Sequence, residues 1–315
     1  MRLARFLHSN MESYGILKDH GIICPFALPK AIKYSPPLTL DEVITLSNKG
    51  MEALERLMKV STKKEKRNAT ISVDDVKLLA PILSPPKILC LGLNYKDHAK
   101  EQGKDTPDEP IIFMKPRTAI IGHNQPIIRP KLVRQLDYEA ELAVVIGRKG
   151  RNIPISEAKK YIFGYTAFND VSARDIQFKD KQWTRGKSFD TFAPTGPCIT
   201  TANQIEDPNN LGIQTKVNDE LRQDSSTKNM IFDVYEIVHH LSLVMTLEPG
   251  DIIATGTPAG VGVFIKPLPK FLSPGDLVEV EIDEIGTLRN IVQEETNPTE
   301  WSSTRKIDER FADVS

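Results

Sequence analysis

Short apolar runs separated by turn signals dominate the chain from about residue 87 to residue 292. Sequences that favour turns, such as Pro249-Gly-Asp and Pro274-Gly-Asp, stand between several of these runs. A longer helical pattern near residues 233–246 interrupts them. The whole pattern predicts a β-rich α+β fold, with strands near residues 88–93, 142–146, 165–168, 252–254 and 277–282.

The first 80 residues differ from this body and predict a small N-terminal α/β domain. Two strand-like runs, 2–7 and 14–17, precede a helical pattern over residues 40–60, which Thr39 can cap. The apolar stripe of this helix, expected to face the core, consists of Val43, Leu46, Leu54 and Leu57.

A proline-rich segment and a polar segment mark the two ends of the main domain. The prolines within residues 81–86 fix an extended backbone, which is typical of a linker, so we expect the main domain to cover residues 81–292. Residues 293–315 are polar and show little periodicity. They predict a C-terminal tail, which Trp301 docks on the body.

Charge and composition narrow the class of partner. The 315-residue chain has 41 Lys and Arg against 42 Asp and Glu, so no global field draws it to nucleic acid or to an anionic membrane. The basic run over residues 63–67 is typical of a solvated turn. No apolar run approaches the roughly 20 residues that span a bilayer. We expect a small-molecule ligand, and neither nucleic acid nor membrane as partner.

The cysteines and the first residues bear on location. Cys24, Cys90 and Cys198 are odd in number and widely spaced, which argues against a disulfide framework or a zinc ribbon and favours a reducing compartment. Two early arginines resemble part of a transit peptide, but Glu12 and Asp19 interrupt it. We expect a cytoplasmic protein, with the mitochondrial matrix as the alternative.

Two acidic residues alternate along one predicted strand. In Asp137-Tyr-Glu-Ala-Glu, the period of two places Glu139 and Glu141 on one face, together with Ala143 and Val145. Taking two carboxylates out of water is costly unless a cation balances them. Such a pair most often faces solvent, so position alone does not decide between a metal site and a surface.

A third carboxylate follows the next strand pattern. Residues 165–169 lead into Asp170, and Ser172-Ala-Arg-Asp resembles a helix start that Ser172 caps. Three hard oxygen ligands with open positions suit Mg²⁺ or Mn²⁺, with Ca²⁺ as a further alternative, whereas Zn²⁺ would favour His or Cys. We predict a divalent cation held by Glu139, Glu141 and Asp170.

Three further patterns carry chemistry. His98 and Glu101 stand at i and i+3 of a predicted helix, where the carboxylate can fix the imidazole tautomer and raise its basicity. Lys187 follows a glycine and can stabilise a developing enolate oxygen. The glycine-dense segment 255–262 is typical of a backbone nest for a carboxylate. A surface His–Glu pair and a surface lysine are the competing interpretations.

Together these stretches resemble the fumarylacetoacetate hydrolase family, and they occur in that family's order between about residues 87 and 292. They look most like its second subtype of short domain-containing proteins. The resemblance implies a catalytic domain built as a mixed β-sandwich roll, and a homodimer. The segments that carry it are Leu93-Asn-Tyr-Lys-Asp-His with Glu101, Pro110-Ile-Ile-Phe, Asp137-Tyr-Glu-Ala-Glu, Asn169-Asp-Val-Ser-Ala-Arg-Asp, Gly186-Lys-Ser-Phe-Asp and Gly250-Asp-Ile-Ile-Ala-Thr-Gly-Thr-Pro.

The resemblance also implies roles for single residues. His98 and Glu101 become a water-activating dyad on a closing lid, and Lys187 faces the substrate. Asp97 matches a further metal ligand of the longer family members, while Arg185 departs from the family pattern and is expected to alter substrate preference. The implied substrate-binding residues are Arg174, Gln177, Gly256 and Thr257.

Several reactions fit such a site. The ion would chelate the 1-carboxylate and 2-oxo oxygens of a small 2-oxo acid and favour an enolate at C3. The second subtype implies oxaloacetate keto–enol tautomerisation. The alternatives are C–C bond hydrolysis of an acylpyruvate or fumarylacetoacetate-type substrate, oxaloacetate decarboxylation, and isomerisation of 2-hydroxyhepta-2,4-diene-1,7-dioate. A silent scaffold without catalysis is the interpretation from a different class.

Overall fold

Strands make up most of the regular structure. The computed structural model describes residues 1–296, which form nineteen strands and eight α-helices. The strands are β1 (Arg2–His8), β2 (Met11–Lys18), β3 (Gly21–Ile23), β4 (Thr70–Ile71), β5 (Lys77–Leu79), β6 (Ile88–Gly92), β7 (Ile111–Lys115), β8 (Ile120–Ile121), β9 (Ile127–Arg129), β10 (Leu136–Asp137), β11 (Ala140–Ile146), β12 (Ile162–Asn169), β13 (Ser172–Ala173), β14 (Ala193–Thr201), β15 (Gly212–Val217), β16 (Glu220–Ser226), β17 (Ile252–Ala254), β18 (Leu277–Ile282) and β19 (Gly286–Glu294). The helices are α1 (Ala31–Tyr34), α2 (Leu40–Leu46), α3 (Asn48–Val60), α4 (Lys63–Asn68), α5 (Lys96–Glu101), α6 (Arg174–Asp180), α7 (Thr184–Lys187) and α8 (Val234–Val244).

Two large sheets organise these strands, which confirms the predicted β-rich α+β class. The first has the order β4-β3-β2-β1-β14-β12-β11-β17-β6-β7, with β5 paired to β1 and β8 paired to β14. The second has the order β16-β15-β18-β19-β9, and β10 pairs separately with β13. Strands β11 and β12 are antiparallel neighbours in the middle of the first sheet.

Strand β11 is buried on both faces, and its alternate residues enter different cores. Leu142 and Val144 pack in a cluster with residues of α8 and of the second sheet. Ala143 and Val145 pack in another cluster, which includes residues of the N-terminal helices α2 and α3. The predicted period of two along this strand is therefore confirmed, and the first sheet lies between two apolar layers.

The N-terminal strands join the same sheet as the rest of the chain. Strand β1 pairs with β14, so that Leu3 lies opposite Ile199. A backbone hydrogen bond from Thr201 N to Met1 O, 2.9 Å long, continues the pairing. The division of the chain near residue 80 stays a prediction, and the hydrogen-bonded sheet crosses it.

The predicted long helix over residues 40–60 is two helices. Thr39 caps α2 as expected, since its Oγ1 accepts a hydrogen bond from Glu42 N at 3.1 Å. The helix is interrupted at Ser47, where φ is +48° and ψ is −116°. The break changes the phase of the helical stripe: Val43, Leu54 and Leu57 are buried, but Leu46 is 48% exposed, so its predicted core position was wrong.

Two other local predictions need correction. Ser172 does not cap a helix: it lies in β13, its hydroxyl donates to Asp170 O at 2.8 Å, and α6 begins only at Arg174. The basic run predicted to be a turn forms the short helix α4, with a capping box between Thr62 and Glu65. Strand β19 continues through Glu294, and the predicted docking of Trp301 lies outside the described residues.

Candidate active site

Three buried carboxylates meet where β11 begins and β12 ends. Glu139 directly precedes β11 and Asp170 directly follows β12, and Asp170 N donates to Glu139 O at 2.8 Å. One oxygen from each of Glu139, Glu141 and Asp170 lies within 4.8 Å of the other two. Glu139, Glu141 and Asp170 are only 7%, 1% and 0% exposed, respectively. The solvent-facing interpretation of the acidic pair is therefore wrong.

Two lysines supply positive charge to this cluster. Lys187 Nζ donates to Glu139 Oε2 at 2.7 Å and to Asp170 Oδ2 at 2.6 Å. Lys115 Nζ donates to Asp170 Oδ1 at 2.5 Å and to Val171 O at 3.1 Å. Sequence reasoning missed Lys115, although its position supplied a signal, since it lies two residues after the buried Phe113 on β7. Neither lysine is a surface residue.

Glu141 differs from its neighbours because no described cation contacts it. Its Oε2 accepts one hydrogen bond, from Gly256 N at 2.8 Å. Burial raises the pKa of Glu141 well above its ordinary value, and the charges of Asp170 and Glu139 add to the rise. Burial would raise the pKa of Glu139 too, but Lys187 and Arg174 outweigh it and lower that pKa to about 2. A proton or a further cation must therefore balance Glu141.

The cluster fits a divalent cation. Metal–oxygen lengths of about 2.0–2.6 Å place two ligands on opposite sides of one Mg²⁺ or Ca²⁺ about 4–5 Å apart, the spacing available here. All three donors are carboxylate oxygens, which suit Mg²⁺, Mn²⁺ or Ca²⁺ rather than Zn²⁺. A dication would also supply the charge that Glu141 lacks. Glu139, Glu141 and Asp170 would hold the ion.

Arg174 joins this cluster to a second buried acid, Asp137. Its Nε donates to Asp137 Oδ2 at 2.8 Å, and its Nη1 lies 2.7 Å from Glu139 Oε1 and 3.0 Å from Gln177 Oε1. Asp137 also accepts from the backbone amides of Gly262 and Val263, at 2.8 Å and 3.1 Å. Among residues 1–296, the buried Nη2 of Arg174 has no hydrogen-bond partner, so it can serve a ligand. Sequence reasoning gave no role to Asp137.

His98 and Glu101 form the expected pair on α5. His98 Nδ1 lies 2.9 Å from Glu101 Oε2, and Gly260 N donates to Glu101 Oε1 at 2.9 Å. The His98 ring is buried and contacts the Phe264 ring edge-on, with centroids 6.0 Å apart. The dyad is thus fixed from both sides, and the alternative of a surface pair is wrong.

The glycine-rich segment supports the carboxylates. Gly256 directs its amide at Glu141 and has φ of +94°, and a Cβ there would stand 2.8 Å from Asn94 Cβ. Thr257 Oγ1 accepts from Gln223 Nε2 at 2.8 Å and lines the cavity described next. Contact of Gly256 and Thr257 with a substrate carboxylate stays a prediction.

Most of the predicted site residues line a cavity of about 280 Å³. Glu101, Glu141, Asp170 and Gly256 are not among its lining residues. Aromatic side chains form much of the rest, and Trp183 packs edge-to-face on Phe113 with centroids 5.5 Å apart. The lining residues are Leu91, Gly92, Leu93, His98, Gln102, Lys104, Ile111, Phe113, Glu139, Arg174, Gln177, Phe178, Lys181, Trp183, Lys187, Thr257 and Phe264.

Two residues singled out in the sequence lie outside this cavity. Both carboxylate oxygens of Asp97 are used within the fold: Oδ1 accepts from His98 N at 2.8 Å and Oδ2 accepts from Ser225 Oγ at 2.6 Å. Arg185 is largely exposed and forms an ion pair with Asp180. Neither contact brings these side chains to the carboxylate cluster.

The fold and the site together define a member of a known enzyme class. A family model described as the C-terminal part of fumarylacetoacetate (FAA) hydrolase matches residues 87–293. The chain therefore belongs to the fumarylacetoacetate hydrolase family, as the sequence motifs predicted. Among residues 1–296, no helix is both long and apolar enough to cross a membrane.

Relatives and solved structures agree with this assignment. A Xenopus laevis protein named oxaloacetate tautomerase fahd2, mitochondrial, is 43% identical over 297 residues, which cover 93% of this chain and 90% of the relative. A fumarylacetoacetate hydrolase from Exiguobacterium antarcticum superimposes with a TM-score of 0.79 at 38% identity, covering 94% of this chain and all of that one. Maleylpyruvate hydrolase from Sphingobium, solved with manganese(II) and pyruvate, gives a TM-score of 0.75 at 29% identity, covering 93% and 99%.

Proposed function

We propose that the protein is a magnesium-dependent oxaloacetate keto–enol tautomerase. The observation that carries the proposal is the convergence of Glu139, His98, Lys187 and Arg174 on one cavity above a buried carboxylate triad. The name of the Xenopus relative supports the reaction, and the manganese-bound neighbour supports a divalent cation. Mg²⁺ is the ion that we propose for this set of three hard oxygen ligands, which also suits Mn²⁺ and Ca²⁺.

The side chains provide the parts that tautomerisation needs. The bound ion would supply Lewis acidity at the 2-oxo group. Arg174 lines the cavity, and its Nη2, which has no partner among the described residues, would bind a carboxylate of the substrate. His98 Nε2 takes the proton from C3, the C2–C3 double bond forms, and negative charge develops on the 2-oxo oxygen. Lys187 stabilises that charge, a water molecule protonates the oxygen, and His98 gives its proton to the hydroxide that remains.

Hydrolysis of an acylpyruvate is the second candidate. The neighbour named maleylpyruvate hydrolase favours it, because that enzyme shares the fold over nearly its whole length. The same His98 would then activate water for attack on a 4-oxo group. The two reactions differ in whether a C–C bond breaks, and this difference can be measured directly.

Proton NMR of oxaloacetate and acetylpyruvate, each incubated with protein and Mg²⁺, tests the proposal. We expect faster keto–enol exchange of oxaloacetate, with no more pyruvate than in the same solution without protein, and no acetate formed from acetylpyruvate. Excess chelator and the Glu141→Gln variant should each abolish the acceleration. Acetate would establish the hydrolase, and pyruvate formed from oxaloacetate faster than without protein would establish the decarboxylase. The homodimer and the cytoplasmic location remain predictions, which gel filtration with light scattering and cell fractionation would test.

A further inference from the structure

His98 has a second polar neighbour, at the ring nitrogen that does not contact Glu101. Gln102 Nε2 lies 2.7 Å from His98 Nε2, and Gln102 lines the cavity. Glu101 and Gln102 follow His98 by three and four residues, the two spacings that bring side chains onto one helix face. One imidazole therefore has a carboxylate on Nδ1 and an amide on Nε2.

Main-chain hydrogen bonds at the end of α5 fix the backbone of Gln102. Gly103, with φ of +63°, donates from its N to Lys100 O at 3.1 Å, and Lys104 N donates to Ala99 O at 3.0 Å. These two bonds form the Schellman motif, which needs a left-handed residue at the position of Gly103. Gln102 is the last residue before this turn, and its own N donates to His98 O at 3.1 Å.

An amide suits this position for a chemical reason. An ionised carboxylate only accepts, so Glu101 requires a proton on Nδ1 of His98, and Nε2 of the neutral ring is then an acceptor. The Gln102 amide donates to it from its NH₂ group. After proton uptake Nε2 becomes a donor, and the same amide, turned by half a rotation, accepts through its oxygen.

We propose that Gln102 is a positioning residue for His98, which holds Nε2 toward the cavity between turnovers, whether or not that atom carries a proton. The inference rests on the proposed function only in taking Nε2 as the atom that receives the substrate proton. Substrate displaces the amide from Nε2 when it binds, and the amide returns when the product leaves. Sequence motifs end at Glu101 and give no role to Gln102.

Nitrogen-15 NMR of histidine-labelled, metal-free protein tests the contact without any activity measurement. The chain has six histidines, and the His98 signals are those lost in His98→Asn. Gln102→Met keeps the size and removes the hydrogen bond, so the Nε2 signal should move to that of a free acceptor. Gln102→Glu should give a larger share of doubly protonated ring at the same pH. Lys100→Met, on the exposed face of the same helix, should change neither.

Kinetics tests the route by which Gln102 acts. We expect Gln102→Met to lower kcat about tenfold with a smaller change in KM, and to reshape the pH profile. The same substitution in a His98→Asn background should cause no further loss, because the two residues act together. Unchanged His98 signals in both Gln102 variants would overturn the inference. So would a loss of kcat on Gln102→Met that is as large in the His98→Asn background as in the unchanged protein. If no form shows tautomerase activity, the proposed function fails and the NMR comparison still decides the contact.

Discussion

Lys187 Nζ lies 2.6 Å from Asp170 Oδ2, inside the cluster that is expected to hold a metal ion. The ammonium group and a dication therefore compete for the same oxygens. Because Lys187 also donates to Glu139, two of the three proposed ligands are already neutralised in the protein alone. The competition between the Lys187 ammonium group and a metal ion for these oxygens can be measured.

Replacing Lys187 with Met should destabilise the metal-free protein and increase its response to Mg²⁺. Removing one partner of a buried ion pair leaves an uncompensated charge and costs about 3–5 kcal/mol. Thermal unfolding with chelator and with saturating Mg²⁺ measures both effects. Lys179→Met, at an exposed position of α6, is the control. A smaller Mg²⁺ shift in Lys187→Met would mean that Lys187 holds the ligands in place instead of competing with the ion.

Glu141→Gln should separate metal binding from stability. The carboxylate has no described cationic partner and must be neutralised, so an amide of the same size should leave the metal-free protein at least as stable. Mg²⁺ at 100 times its Kd should stabilise the unchanged protein by about 2.7 kcal/mol and the variant by far less. Calorimetric titration with Mg²⁺ checks the same point. Equal stabilisation of both proteins would remove Glu141 from the ligand set.

Asp137→Asn should weaken the protein by removing one of the two carboxylates that pair with Arg174. The pair is buried, and the loss of one charge should cost about 3–5 kcal/mol in urea unfolding. Arg174→Met should cost a similar amount, while the double variant should cost less than the sum, since both single substitutions break the same ion pair. Additive losses would show that the two side chains act independently. Activity should fall in every case, because Arg174 also contacts Glu139.

Gly92→Ala should displace the Trp183 ring from the cavity wall. A Cβ at Gly92 would stand 2.0 Å from Trp183 Cζ3, so the ring must move, at a cost of about 1–3 kcal/mol. The fluorescence of Trp183, recorded in a Trp301→Phe background, reports the movement, and KM should rise. Trp183→Phe in the Gly92→Ala protein should recover part of the stability. An unchanged spectrum would argue that the backbone shifts instead.

Local sequence patterns predicted the proposed metal-binding and catalytic residues, but not the buried charged residues that contact them. The period of two placed Glu139 and Glu141 on one face, and helix spacing paired His98 with Glu101, because both rules act over a few residues. Lys115 reaches Asp170 across 55 positions of the chain, and only the order of strands in the sheet brings them together. The role of Asp137 depends likewise on a distant loop.

The errors have the same physical origin. Leu46 fits the apolar stripe only if α2 and α3 are one helix, and the unusual backbone at Ser47 ends that phase. Serine often caps helices, but Ser172 lies in the two-residue strand β13, which pairs with β10. In both cases a local preference loses to packing formed with another part of the chain.

The hairpin-like pairing of β11 with β12 has a consequence for how the protein is handled. Two of the proposed ligands are held by a main-chain hydrogen bond at the junction of these strands, and lysines already offset much of their charge. Small zinc domains unfold when stripped of their ion. Here extraction with a chelator should leave a native chain, so that different ions can be loaded and compared in the same preparation.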